Sequence, residues 1–415
     1  MRKLLASSLF RDTAKLVLGT AGGRAILLLA LPLISRLFGP DDFKLLAVFI
    51  ALISTVSVAA CLRLEIAIPL AETDDDAANL LAMSLLSAAT ISAVLLALSG
   101  VAPVAFATAL GTSEIAPYLW LVAIGIFLTA SCTALQFWAT RLRRFGIIAR
   151  TRVVQAVTGV VTMLGLGWLG LAPIGLLLGN MLTLGAGGVS LALQALRHDR
   201  GRLRAITPAA MLRTLTKYRR YPVFSTPEAL ANVAGMQVPV LMIAAFSGAE
   251  AGQLFLAMQV MAAPLALIGA SVGQVYASRA SEELRNGTLH RFTLTMMKRL
   301  FLIGVVPITA AALLSPFLFT LVFGAEWQRA GVIVAWIAPW MLAQLVVSPV
   351  SMALHVVGAQ RTGMLLQFLG FSIRAGFVIV ATVAAPTLVV EVFAVSGVTF
   401  YVIYSVVVSR AVRIK

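Results

Sequence analysis

Long apolar runs constrain this chain more than any other feature. Stretches near 17–37, 45–68, 80–100, 117–139, 153–171, 174–196, 223–246, 252–277, 300–323, 331–357, 363–385 and 389–409 are almost free of charge. Each is close to the ~20 residues that an α-helix needs to cross a bilayer. In lipid a backbone must satisfy its own N–H and C=O groups, so runs of this length are helices. Of 415 residues, 60% are hydrophobic and 12% charged, where soluble domains carry about 25% charge. The sequence therefore predicts an all-α polytopic membrane protein with twelve transmembrane helices. The fifth and sixth runs are separated only by a short turn around Pro173. Cys61 and Cys132 lie in apolar stretches without CxxC or metal-ligand spacing, and read as small buried hydrophobes.

The net charge of +16 would suggest nucleic acid in a soluble protein. Here the cations crowd between the apolar runs, so membrane orientation explains them and no nucleic-acid partner is expected. With a cytoplasmic N-terminus, Arg141, Arg143, Arg144, Arg150 and Arg152 fall inside. So do the run from Arg197 to Arg220, the group Arg279 to Arg299, and Arg410 and Arg413. Arg36, Lys44 and Arg329 fall outside. An error of one helix would scramble this alternation, so both termini are expected to be cytoplasmic. The acidic stretch Glu72, Asp74, Asp75 and Asp76 runs against the pattern, but acids count little in it. The N-terminal Met1-Arg2-Lys3-Leu4-Leu5 begins like a signal peptide. Arg11, Asp12 and Lys15 then interrupt the run, so no cleavage is expected.

The chain divides into an N-terminal bundle over 1–200, a basic linker over 201–222 and a C-terminal bundle over 223–415. The halves echo each other: Phe38-Gly39-Pro40-Asp41-Asp42 ends the first helix as Phe246-Ser247-Gly248-Ala249-Glu250 ends the seventh. Six helices per repeat is an even number, so the repeats are expected to be parallel, with a pseudo-two-fold axis along the membrane normal.

Arg24 and Arg374 interrupt apolar spans. A mid-span arginine costs about 2.5–3.5 kcal/mol on insertion scales, and such residues face protein or a water-filled cavity. A cationic cavity suits an anionic cargo. For Arg374, near the middle of the eleventh span, the alternative is a structural pair with a carboxylate or carbonyls. For Arg24, flanked by Gly22 and Gly23, it is snorkelling to the cytoplasmic face. Arg63 and Glu65 lie near the end of the second span. Residues two apart on a helix do not face each other, so the two need different partners unless Pro69 distorts this end. Glu65 is a candidate for proton or sodium coupling, or a structural ion pair. Glu228 is a second candidate; after Pro227 it also suits a helix first turn. Trp120, Trp327 and Trp340 read as an interfacial belt, and Glu391 as interfacial. Prolines at 32, 103, 239, 264, 307, 339 and 349 interrupt several spans, as expected where helices bend around a cavity. There is no GxxxxGK[ST], no HExxH and no serine-hydrolase elbow. No catalytic or metal residues are assigned and no enzyme is expected.

Several stretches resemble the Wzx-type polysaccharide flippases, in the superfamily that includes multidrug extruders and the lipid II flippase. They are Pro32-Leu33-Ile34-Ser35-Arg36-Leu37-Phe38-Gly39-Pro40-Asp41-Asp42-Phe43, Arg63-Leu64-Glu65-Ile66-Ala67-Ile68-Pro69-Leu70 and Tyr218-Arg219-Arg220-Tyr221-Pro222 running on to Gln237-Val238-Pro239. Phe323-Gly324-Ala325-Glu326-Trp327 and Ser348-Pro349-Val350-Ser351 follow. Lys44 stands where the family pattern usually has glycine. The resemblance implies a flippase for a polyprenyl-pyrophosphate-linked oligosaccharide in the bacterial inner membrane, working by alternating access in O-antigen or exopolysaccharide synthesis. It implies a polysaccharide polymerase and a chain-length regulator as partners, with proton or sodium coupling. On this reading Arg24, Arg374 and Arg63 bind cargo in a central cationic cavity. A multidrug or metabolite antiporter, and a non-transporting scaffold of a glycan assembly complex, are the alternatives.

Overall fold

The computed structural model describes residues 2–109 and 112–413 and is almost entirely helical, with no strand among them. Twelve long helices appear among the described residues. They are α1 (Arg2–Leu37), α2 (Pro40–Ala60), α3 (Asp74–Val101), α4 (Leu119–Arg141), α5 (Phe145–Trp168) and α6 (Ile174–His198, interrupted at Ala186). Then follow α7 (Thr226–Ser247), α8 (Glu250–Arg285), α9 (Leu289–Phe323), α10 (Gln328–Val347), α11 (Gln360–Ala384) and α12 (Val389–Arg413). Eleven of the corresponding stretches are long and apolar enough to cross a membrane. The twelfth, α8, is 36 residues long and contains the expected span 252–277.

The chain forms two compact units. The first comprises Met1–Phe38 and Val48–Val233, the second Gly39–Ala47 and Ala234–Lys415. In the first, α5 packs against α1 and α6, and α4 against α3 and α6. Lipid tails are as apolar as leucine, so helices here associate by close packing rather than by a hydrophobic drive. Glycines supply it. A Cβ on Gly159 would lie 2.7 Å from the Gly179 carbonyl oxygen, and one on Gly19 would lie 2.6 Å from the Ala149 backbone. In the second unit α10 is central, packed by α8, α9 and α12. A Cβ on Gly331 would press 2.8 Å from the Pro316 Cα. There the Ser315 hydroxyl crosses from α9 to donate to the Gly331 carbonyl at 2.8 Å. Pro32, Pro239, Pro264, Pro307 and Pro339 all lie inside continuous helices.

Two expected spans end early. The second was expected to reach residue 68, but α2 stops at Ala60. Leu62 (φ 53°) and Arg63 (φ 56°) follow in the left-handed region, which a right-handed helix cannot continue. Leu64–Leu70 then forms a 3-10 turn against α3 and α4. The Arg141 guanidinium holds its end, donating to the carbonyls of Ile68 (3.1 Å) and Ala71 (2.8 Å). The tenth span was expected to reach 357. It stops at Val347, where Ser348–Val350 tightens into a 3-10 turn around Pro349, a residue without an N–H to continue the ladder.

The expected tryptophan belt is only partly present. Trp120 is exposed, but Trp327 and Trp340 are core residues. Trp327 stands edge-on to Phe43 at 4.8 Å, because a Phe-Gly-Ala-Glu-Trp turn folds the ring inward under α10. Glu391, in the first turn of α12, is buried and paired at 2.6 Å with Arg329, which also reaches Glu250 at 2.9 Å.

Gly159→Leu should force α5 and α6 apart and lower stability by about 1–3 kcal/mol, the usual cost of overpacking. Thermal unfolding of the detergent-solubilised protein will check this; an unchanged midpoint would contradict the close crossing.

Candidate functional site

Arg374 sits in the middle of α11, inside the second unit, and is 5% exposed. Small residues make its surroundings. Phe400 of α12 packs where a Cβ on Gly370 would stand, one turn before Arg374, and Trp340 of α10 occupies the space beside Gly397. The guanidinium carbon is 4.5 Å from the Phe400 ring centre and 5.9 Å from that of Trp340. Tyr401 provides a polar contact through its hydroxyl. Aromatic faces attract a cation through the ring quadrupole, yet they leave its directional donors open. Nε has no hydrogen-bond partner, and among the described residues no carboxylate lies within ion-pair distance. The paired-carboxylate alternative is therefore absent among the described residues.

Arg24 lies in the apolar part of α1, in the first unit. Gly19 and Gly23, four apart, face α5: a Cβ on Gly23 would be 3.1 Å from the Arg152 carbonyl oxygen. Arg24 is one position away from that buried stripe and its side chain is exposed on the surface of the unit. It too forms no ion pair among the described residues.

Arg63 and Glu65 come together, contrary to the expectation of separate partners. The helix has already ended, so the rule for helical neighbours does not apply, and left-handed Arg63 turns its side chain back to Glu65 at 3.6 Å. Glu65 is 3% exposed and its second oxygen has no partner. The Leu64–Leu70 turn lies between the spans Pro40–Ala60 and Asp74–Val101. Burial there pushes the Glu65 carboxyl above its ordinary 4.5, with its own backbone and then Arg63 opposing. Glu228 is exposed in the first turn of α7, the position a helix dipole favours. Of the five sequence candidates, only Arg63 and Glu65 are in contact.

The acidic stretch after α2 has a role that sequence reasoning missed. Asp74 bonds Arg141 (2.9 Å) and Arg202 (2.9 Å). Asp199, fully buried, bonds Arg144 at 2.6 Å and accepts from the Trp138 indole at 3.1 Å. Lys217, at the end of the helix Pro208–Lys217, bonds Glu72 and Asp76, each at 2.8 Å. Asp76 and then Glu72 hold its ammonium above the ordinary lysine range. The available signal was the coincidence of four acids with a basic linker on the same side of the membrane.

The fold is that of the multidrug and lipid-flippase transporters. The lipid II flippase MurJ in an inward closed conformation superposes with a TM-score of 0.69 at 14% identity, covering 96% of this chain and 90% of that one. An outward-facing multidrug resistance MATE family transporter of the MOP superfamily gives 0.60 at 15% identity, covering 97% and 95%. A MOP superfamily transporter from Pyrococcus furiosus, described as having a binding pocket of reverse polarity, gives 0.57 at 15% identity, also covering 97% and 95%. The family model described as polysaccharide biosynthesis protein matches residues 33–332, and the chain belongs to that family. No curated protein matches the sequence.

Arg63→Ala should leave a buried carboxylate without its cation and cost about 1–3 kcal/mol; adding Glu65→Gln should recover most of that. A double-mutant cycle by thermal unfolding reads the coupling. The raised carboxyl binds its proton more tightly folded than unfolded. Wild type should therefore lose stability relative to Glu65→Gln as pH rises above 4.5. A flat difference from pH 4 to 8 would show that burial does not act on this group.

Proposed function

We propose that the protein is a flippase that carries a polyprenyl-pyrophosphate-linked oligosaccharide from the cytoplasmic to the external leaflet for surface polysaccharide synthesis, by alternating access in the bacterial inner membrane. Family membership and a fold shared with a lipid II flippase support this reading. One observation carries the polarity of the cargo. Arg24 and Arg374 are cations within apolar helices, and among the described residues neither has a carboxylate partner. A pathway for cationic drugs would place acids there instead.

A guanidinium offers planar, bidentate hydrogen bonding to phosphate oxygens. Arg24 presents this group on the open face of α1. Arg374 holds an unsatisfied Nε against aromatic rings, which keep it charged and dry until an anion approaches. Arg63, tied weakly to Glu65 at 3.6 Å, is a third phosphate ligand. Glu65 takes up a proton when Arg63 turns to cargo, which links transport to proton movement; Glu228 is the alternative coupling group, and sodium the alternative ion. An inside-negative potential favours outward movement of an anion by roughly 2.3 kcal/mol per charge per 100 mV. The protein works without covalent chemistry, with both termini cytoplasmic, and hands its cargo to a polymerase and chain-length regulator.

A deletion strain should accumulate lipid-linked glycan in the cytoplasmic leaflet. Wild type should restore export, and Arg24→Ala or Arg374→Met should fail to. Arg374→Met should nevertheless fold with undiminished stability, since replacing an uncompensated buried charge by an isostere of similar volume is neutral or stabilising. Arg374→Lys should restore export in part. Normal export by both neutral variants would sink the anionic-cargo reading, and loss of surface polymer with normal leaflet distribution would favour a scaffold.

A further inference from the structure

The second unit holds a basic cleft whose lining includes none of the residues proposed to meet cargo. It is about 220 Å³ and lies between the start of α9 and the end of α12, lined by His290, Ser405, Val406, Ser409, Arg410 and Arg413. No acid lines it. Neither arginine makes an ion pair among the described residues, and the His290 Nδ1 is buried without a hydrogen-bond partner. Elsewhere basic groups such as Lys217, Arg141, Arg144 and Arg329 are paired with carboxylates of the chain itself. Cations left unpaired in a concave site are arranged for an anion that comes from outside the chain.

The surroundings identify its chemistry. On α12, Val402, Val406, Ser409 and Arg413 recur at intervals of four, three and four, so they share one face. On α9, His290, Leu294 and Phe301 share another. Val402, Val406, Leu294 and Phe301 are exposed. Each face thus passes from charged and polar groups at the helix end to bare apolar groups further into the span. A ligand matching both has a phosphate at one end and hydrocarbon at the other.

We propose that this cleft binds the phosphodiester headgroup of an anionic phospholipid at the membrane boundary, with Arg410 and Arg413 on the phosphate oxygens, His290 and the serine oxygens, whose hydroxyls donate to their own helix, accepting from headgroup hydroxyls, and acyl chains along the exposed valines and Phe301. None of the arginines proposed for cargo lines this site.

The test uses the full chain purified in detergent, by thermal unfolding and native mass spectrometry. Phosphatidylglycerol should raise the unfolding midpoint and stay bound, where phosphatidylcholine does neither. Arg410→Gln/Arg413→Gln should weaken phosphatidylglycerol binding about tenfold or more. Arg291→Gln, exposed on α9 and outside the cleft, should not. Ser409→Asp, which places a carboxylate in the cleft while keeping both arginines, should also abolish the shift, and serves if the double variant does not fold. Equal stabilisation by phosphatidylcholine, full protection by inorganic phosphate alone, or undiminished lipid binding by both cleft variants would each overturn the proposal.

Discussion

Charge inside an apolar solvent is the constraint on which this structure turns. The backbone meets it by closing its hydrogen bonds within helices. The side chains meet it by pairing: Asp199 with Arg144 and Trp138, Glu391 with Arg329, Glu65 with Arg63. Each pair leaves its carboxylate buried and its arginine part-exposed, so removing the cation strands a buried charge. Against that background Arg24 and Arg374, mid-span cations without a carboxylate among the described residues, are the ones proposed to meet cargo.

The helices are drawn together by what is missing from them. Glycines at 19, 159, 179 and 331 let backbones approach to distances that any Cβ would forbid. The same device shapes the surroundings of Arg374. Gly370 and Gly397 open space for Phe400 and Trp340, and those rings wall Arg374. Packing and electrostatics are thus coupled at one place: the rings that fill the bundle also set the environment of the charge.

The basic loops are not only a signal of orientation. In the first unit they close a network with the acids after α2, fastening the helix Pro208–Lys217 to the start of α3. That helix leads into the π-helical turn Tyr221–Ser225 and α7. The two kinds of basic surface differ in consequence: paired cations secure the chain, while the unpaired Arg410 and Arg413 are, on the proposal above, available to lipid.

The number and rough placement of the long helices were legible in the sequence, because a bilayer imposes one length and one backbone solution on every apolar run. The mid-span positions of Arg24 and Arg374 were legible for the same reason: charge in such a run is conspicuous. The end of α2 was not, since Leu62 interrupts a helix within a run whose hydropathy stays high; at α10 Pro349 was visible as an interruption, but not that the helix stops there. Nor was the pairing of Arg63 with Glu65, which needs a left-handed backbone that composition does not announce. Trp327 and Trp340 looked interfacial by residue type and were buried by their neighbours. Hydropathy is a property of each segment alone. The partner of a charge or a ring is set by which helices pack together, and only the tertiary structure decided that.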